Sequence, residues 1–140
     1  MFVLGESTLA LGFIQEEASK TRMRSYLPGE TLRVGKLPVE LRTLDSAGLS
    51  PDFMKIDVEG VEDRVIAGAL GTVRRCRPLI MAENSYPERV RAALAPLGYA
   101  PFNFDTTRGF LYPQDRPLQN SFYVEARWAD RLRRVGLVAN

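Results

Sequence analysis

The stretch Asp52-Phe53-Met54-Lys55-Ile56-Asp57-Val58-Glu59-Gly60-Val61-Glu62 decides the fold. Phe53 to Ile56 is a short, mostly apolar run that reads as a buried strand and ends abruptly in the acidic turn Asp57-Val58-Glu59-Gly60. Beyond it, apolar residues recur at Val61, Val65, Ile66, Ala69, Leu70 and Val73, the spacing of one helical stripe. Glu59, Glu62 and Asp63 sit at the start of that helix and Arg74, Arg75 and Arg77 at its finish, which matches the helix dipole. Pro78 forbids continuation.

A second unit of the same kind follows. Leu79 to Ala82 is a buried-strand run ending in Glu83-Asn84. Ser85-Tyr86-Pro87-Glu88 reads as a helix start, with Ser85 as cap and Pro87 in the first turn. Val90, Ala93, Leu94 and Leu97 line one face of this helix, and Gly98 marks its stop. Strand, acidic turn, helix, repeated once, is the sequence form of adjacent βαβ units.

Outward from this centre the pattern changes. Ala100 to Phe104, Gly109 to Tyr112 and Ser121 to Ala126 read as short strands separated by gaps too small for helical crossovers, so antiparallel pairing at the sheet edge is expected. Ala129 to Val135 reads as a closing helix whose Arg127 to Arg134 stretch gives a solvated basic face. Before the centre, Leu9 to Gln15, Thr31 to Val34 and Val39 to Leu44 are candidate strands in a loop-rich lead-in over residues 1–50. The expected whole is one α/β domain over residues 1–140, with a βαβα core and antiparallel tail over residues 51–140.

Composition narrows the chemistry. The 140 residues include no histidine and one cysteine, Cys76. A Ser-His-Asp or Cys-His relay, an imidazole metal site and an internal disulfide are thereby excluded. The hydrophobic share of 45% and charged share of 26% are ordinary for a globular chain. A net charge of +2, without a basic cluster interleaved with aromatics, gives no sign of a nucleic-acid partner. The run Leu9 to Ile14 is shorter than the ~20 residues of a membrane span. Met1-Phe2-Val3-Leu4 lacks the basic start of a signal peptide. The chain reads as cytoplasmic.

In an open parallel sheet, ligands bind beyond the carboxyl ends of the strands. That rule selects Asp57 to Gly60 and Glu83 to Ser85. If the two strands are neighbours, Asp57, Glu59 and Glu83 crowd one rim, where closely spaced carboxylates suit a general base or a cation contact. Asp57 and Glu59 as simple caps of the next helix is an equally open reading. Lys55 either snorkels from the strand or pairs with a site carboxylate. The three carboxylates and Asn84 are magnesium-compatible in type, but no spacing enforces a metal site.

Thr43-Leu44-Asp45, then Lys55-Ile56-Asp57-Val58-Glu59-Gly60-Val61-Glu62, Gly68-Ala69 and Arg77-Pro78-Leu79-Ile80 up to Glu83, closely resemble the FkbM-type methyltransferases. The close match spans residues 43–84, with looser similarity elsewhere. The resemblance implies a class I methyltransferase sheet, Rossmann-like and mostly parallel with an antiparallel last strand, and S-adenosylmethionine as cofactor. It makes Phe53 to Ile56 the fourth strand and Leu79 to Ala82 the fifth. Asp57 then falls near the transferred methyl group, with Asp57, Glu59 and Glu83 as the catalytic candidates and Asp57 and Lys55 as cofactor contacts. The implied acceptor is a small molecule or glycan bearing a hydroxyl, on a sugar, lipid or secondary metabolite.

One departure from that family is plain. Gly5, Gly12, Gly29 and Gly35 form no G-x-G cluster, and no strand, glycine loop and helix precede Asp45. Seven strands with their helices and loops need about 170 residues at typical element sizes. The chain is therefore expected to be the C-terminal portion of such a domain, from a truncated reading frame, a clipped product or a decayed gene. Two consequences are expected: weak or no cofactor binding, and a sheet edge at Phe53 to Ile56 that either self-associates or is covered by residues 1–50, two alternatives that the sequence leaves open. A non-catalytic α/β remnant acting as a binding or assembly module is the alternative.

Overall fold

The computed structural model describes residues 40–58 and 60–138. Five strands, β1 (Phe53–Ile56), β2 (Leu79–Glu83), β3 (Tyr99–Asp105), β4 (Phe110–Pro113) and β5 (Asn120–Glu125), form one sheet. Four helices join them: α1 (Glu62–Ala67), α2 (Leu70–Cys76), α3 (Pro87–Leu94) and α4 (Ala126–Arg134). The architecture is α/β, with spatial order β1-β2-β5-β3-β4. β1 and β2 are parallel, with Phe53 opposite Leu79 and Ile56 opposite Ala82. The remaining pairings among described strands are antiparallel, so the sheet is mixed rather than mostly parallel. The reason lies in β5, which inserts between β2 and β3 instead of adding at the edge. β1, β2 and β3 consequently run the same way, and their carboxyl ends share one rim.

Alternation along the strands sorts side chains onto two faces. Met54, Ile56, Ile80, Ala82 and Tyr123 face a core completed by Val65 and Ile66 of α1, Val73 of α2 and Val90 and Leu94 of α3. Phe102, Leu111 and Val124 face the opposite way, against Ala129, Trp128 and Leu132 of α4. The chain returns after α4 to run beside β4, where the Leu111 amide donates to the Leu137 carbonyl at 2.8 Å.

The continuous stripe of residues 61–73 is two helices, not one. Asp45 causes the break. Its amide donates to the Gly68 carbonyl at 3.1 Å. Its carboxylate accepts from the Gly71 amide at 2.9 Å and the Thr72 amide at 2.6 Å. A residue far upstream thus takes the hydrogen bonds a continuing helix would make, which local periodicity does not reveal.

Element boundaries also shift. Pro87 at the first helical position of α3 makes Tyr86, not Ser85, the cap residue. The Glu125 carboxylate accepts from the Arg127 amide at 3.1 Å, ending β5 one residue early and starting α4 before Ala129. Gly109, at φ +74°, belongs to the turn before β4.

The basic face of α4 is only partly solvated. Arg127 donates to the Cys76 carbonyl at 3.1 Å and the Arg77 carbonyl at 3.3 Å. The Trp128 indole donates to the Arg77 carbonyl at 2.8 Å, and the buried Tyr99 hydroxyl to the Pro78 carbonyl at 2.8 Å. These donors satisfy the carbonyls freed where α2 ends at Pro78. The candidate strands Leu9 to Gln15 and Thr31 to Val34 lie outside the described residues. Of Val39 to Leu44, the described part contains a single bridge residue, Arg42, and the buried Leu44.

Candidate active site

The parallel register of β1 and β2 sets the site. Ile56 pairs with Ala82, so the next residues, Asp57 and Glu83, stand side by side at the carboxyl end, about 4.8 Å apart in strand spacing. Lys55 lies two residues before Asp57, on the same side of the strand. Its Nζ donates to Asp57 Oδ2 at 2.7 Å. Of the alternatives open for Lys55, pairing with a site carboxylate is the one the structure adopts.

This contact sets the charges. The hydrogen bond from Lys55 holds the Asp57 carboxyl below the usual carboxylate value of 3.8, against an opposing push from burial, and a hydrogen bond with the Glu83 side chain adds to the lowering. The hydrogen bond and charge of Asp57 raise the Lys55 ammonium above its usual value of 10.5, with a smaller contribution from Glu83. Side-chain exposures of 54% and 39% mean the pair adds little to stability. Its effect is to keep an ionised, oriented carboxylate at the rim.

The two strand-end turns pack against each other. Gly60 has φ +98°, and a Cβ there would stand 3.1 Å from Tyr86 Cε2 and 3.9 Å from Ser85 Cβ. Only glycine meets both demands. The Gly60 amide donates to Glu62 Oε1 at 2.9 Å, and Glu62 is only 1% exposed. Glu62 therefore pins the turn as well as complementing the helix dipole. The Tyr86 ring stays half-exposed beside this turn, with the Arg89 guanidinium 4.4 Å from its centroid. Glu59 lies outside the described residues.

Asn84 joins a buried polar network rather than the carboxylates. Its Nδ2 donates to the Leu118 carbonyl at 2.5 Å and to Ser121 Oγ at 2.7 Å. Gln114 Nε2 bridges Ser121 Oγ at 2.5 Å and Asn103 Oδ1 at 2.9 Å. Asn103 Nδ2 donates to the Arg116 carbonyl at 3.0 Å. Asn103 and Ser121 are fully buried. Sequence patterning does not single out Asn103, Gln114 or Ser121. The available signal is a polar residue at an inward-facing strand position, as Asn103 is between Phe102 and Phe104.

The family described as methyltransferase FkbM domain matches residues 4–113, well over half of the chain. The chain belongs to the FkbM methyltransferase family. The match extends on both sides of the motif and takes in β1 to β4, with Lys55, Asp57 and Glu83. No curated protein and no solved structure matches the chain. In this FkbM-family chain, the described rim offers one ionised carboxylate, a second carboxyl beside it, and an ammonium that fixes the first. Among the described residues, no three metal-ligating side chains converge, and no helix is long and apolar enough to cross a membrane.

Proposed function

We propose that this FkbM-family chain carries the acceptor side of a methyl transfer from S-adenosylmethionine to a hydroxyl on a sugar, lipid or secondary metabolite, in the cytoplasm, on a class I methyltransferase sheet. The observation that carries the reading is the Lys55–Asp57–Glu83 cluster at the carboxyl end of two parallel strands, inside the family's motif. The ionised Asp57 carboxylate fits the sulfonium cation of the cofactor in charge. Asp57 is the residue to meet it. Lys55, with its Nζ on Asp57, acts through that carboxylate.

When bound, S-adenosylmethionine supplies an electrophilic methyl group, so the protein's task is alignment and proton handling. Asp57, held ionised by Lys55, would accept a hydrogen bond from the acceptor hydroxyl and so orient that oxygen for transfer. A carboxylate of lowered pKa is a weak base toward a free alcohol. It would take the proton as the hydroxyl oxygen gains the methyl group and the sulfur–carbon bond of the donor breaks to leave the thioether, because the hydroxyl becomes strongly acidic at that point. Glu83 stands beside Asp57 at the end of the neighbouring strand, and no histidine is required.

The test is tritium transfer from methyl-labelled S-adenosylmethionine into mixed hexoses, deoxyhexoses and glycolipids, using the full-length protein. The expected product is a base-stable methyl ether, and Asp57→Asn lowers its yield about a hundredfold without altering the circular dichroism spectrum. No ether from wild type, or equal yield from the variant, contradicts the reading.

A further inference from the structure

The chain between β4 and β5 must cross β3 to reach its place beside β2, because β3 lies between β4 and β5. The crossing starts at Gln114, whose amide donates to the Pro101 carbonyl at 3.1 Å. It passes above Asn103, which donates to the Arg116 carbonyl. It ends at the rim, where Asn84 takes the Leu118 carbonyl with its side chain and the Gln119 carbonyl with its backbone amide, at 2.9 Å. The crossing is therefore fastened at its start, middle and end. Two of the fastening side chains, Asn103 and Ser121, are fully buried. A polar network that rests on two buried side chains fixes one geometry, because a buried amide or hydroxyl is costly without its partner.

From this we infer that residues 114–119 form a fixed flank of the carboxylate rim, with Asn84, Asn103 and Ser121 as positioning residues that hold the flank and the end of β2 in one arrangement. Asn84 follows Glu83 directly, so each bond it makes to the crossing also locates the Glu83 backbone. The flank exposes Asp115, Arg116, Leu118 and Gln119. Asn103, Ser121 and Ala82 share one row across the sheet, on the face opposite to Lys55 and Asp57. The flank therefore acts on the rim by placing Glu83 through Asn84, not as a wall beside Asp57. What that placement does for chemistry rests on the methyl-transfer reading above. The rigidity of the flank does not.

The experiment uses the full chain, with Asn103→Asp and Ser121→Ala as independent variants. Asn103→Asp keeps the shape and the acceptor for Gln114 but removes the donor to Arg116; Ser121→Ala removes only the hydroxyl. Hydrogen exchange of the Asn84 amide and the heteronuclear NOE of residues 115–119 are read by NMR, together with the Glu83 carboxyl signal. In wild type the crossing is expected to be as ordered as the strands. In each variant that folds, Asn84 exchange accelerates about tenfold or more, residues 115–119 lose order and the Glu83 signal moves, while β1 amides keep their protection. A crossing already mobile in wild type overturns the inference. So does a variant that accelerates all amides equally, because that is general destabilisation. If exchange behaves as expected but wild type makes no methyl ether, the flank stands and the methyl-transfer reading fails.

Discussion

Replacing Asp45 by Ala removes a helix cap supplied from outside the helix. α2 begins after Ala69, which has no side chain to accept the free amides of the first turn. Asp45 accepts from two of them, at 2.9 and 2.6 Å. Loss of a side-chain cap costs about 1 kcal/mol, and the charge on Asp45 pushes the cost toward the upper side, about 1–1.5 kcal/mol. For a chain of this size that lowers the melting temperature by about 3–6 °C. Urea unfolding at neutral pH reads the loss directly, and Asp45→Asn, which keeps one acceptor oxygen, gives a smaller one.

The acid limb adds a second check. Burial pushes the Asp45 carboxyl up, but the Gly71 and Thr72 amides, the Thr72 hydroxyl and the Arg75 guanidinium outweigh it and hold the group below 3.8. A lowered folded value means the stabilisation is present above the unfolded value and disappears as pH falls through the folded one. The stability gap between wild type and Asp45→Asn therefore holds from neutral pH down to about pH 4 and closes below it. An Asp45→Ala protein as stable as wild type, or a gap that persists unchanged in strong acid, refutes the capping argument.

Gly60→Ala places a side chain at φ +98° and against Tyr86, so it is expected to cost about 1–3 kcal/mol in urea unfolding; a neutral effect counts against close packing of the two turns. Lys55→Met lets the Asp57 carboxyl rise toward its ordinary value while Lys55→Arg keeps it low, as read by carbon-13 titration of the Asp57 carboxyl; superimposable curves remove Lys55 from its control. Tyr99 and Tyr123 are pushed up to about 12, chiefly by burial. Ultraviolet titration should show both ionising there. Because their folded values are raised, stability is intact below about pH 10 and falls as pH rises from there toward 12.

The elements with strong local patterns were legible in the sequence. β1 and β2 stand where apolar runs met acidic turns, Gly98 ends the 3-10 turn Ala95–Leu97 that follows α3, and the α/β class follows from their alternation. Lys55, Asp57 and Glu83 meet because strand-end residues of parallel neighbours must share a rim. What local pattern could not carry is long-range hydrogen bonding. Asp45 splits a helix whose own stripe is unbroken. Asn103 and Ser121 are buried because a crossing chain needs donors beneath it, a demand set by strand order. The place of β5 between β2 and β3 depends on the sheet as a whole, not on the residues of β5.

The most direct measurement is an amide chemical-shift titration of the isotopically labelled chain with S-adenosylmethionine. The account predicts shifts concentrated at Val58, Gly60 and residues 83–86, and their loss in Asp57→Asn. It also predicts an affinity weaker than micromolar, since the sequence has no G-x-G cluster to hold the cofactor. Shifts confined to the opposite rim, or shifts at residues 83–86 that persist unchanged in Asp57→Asn, would contradict the assignment of the Lys55–Asp57–Glu83 rim to methyl transfer.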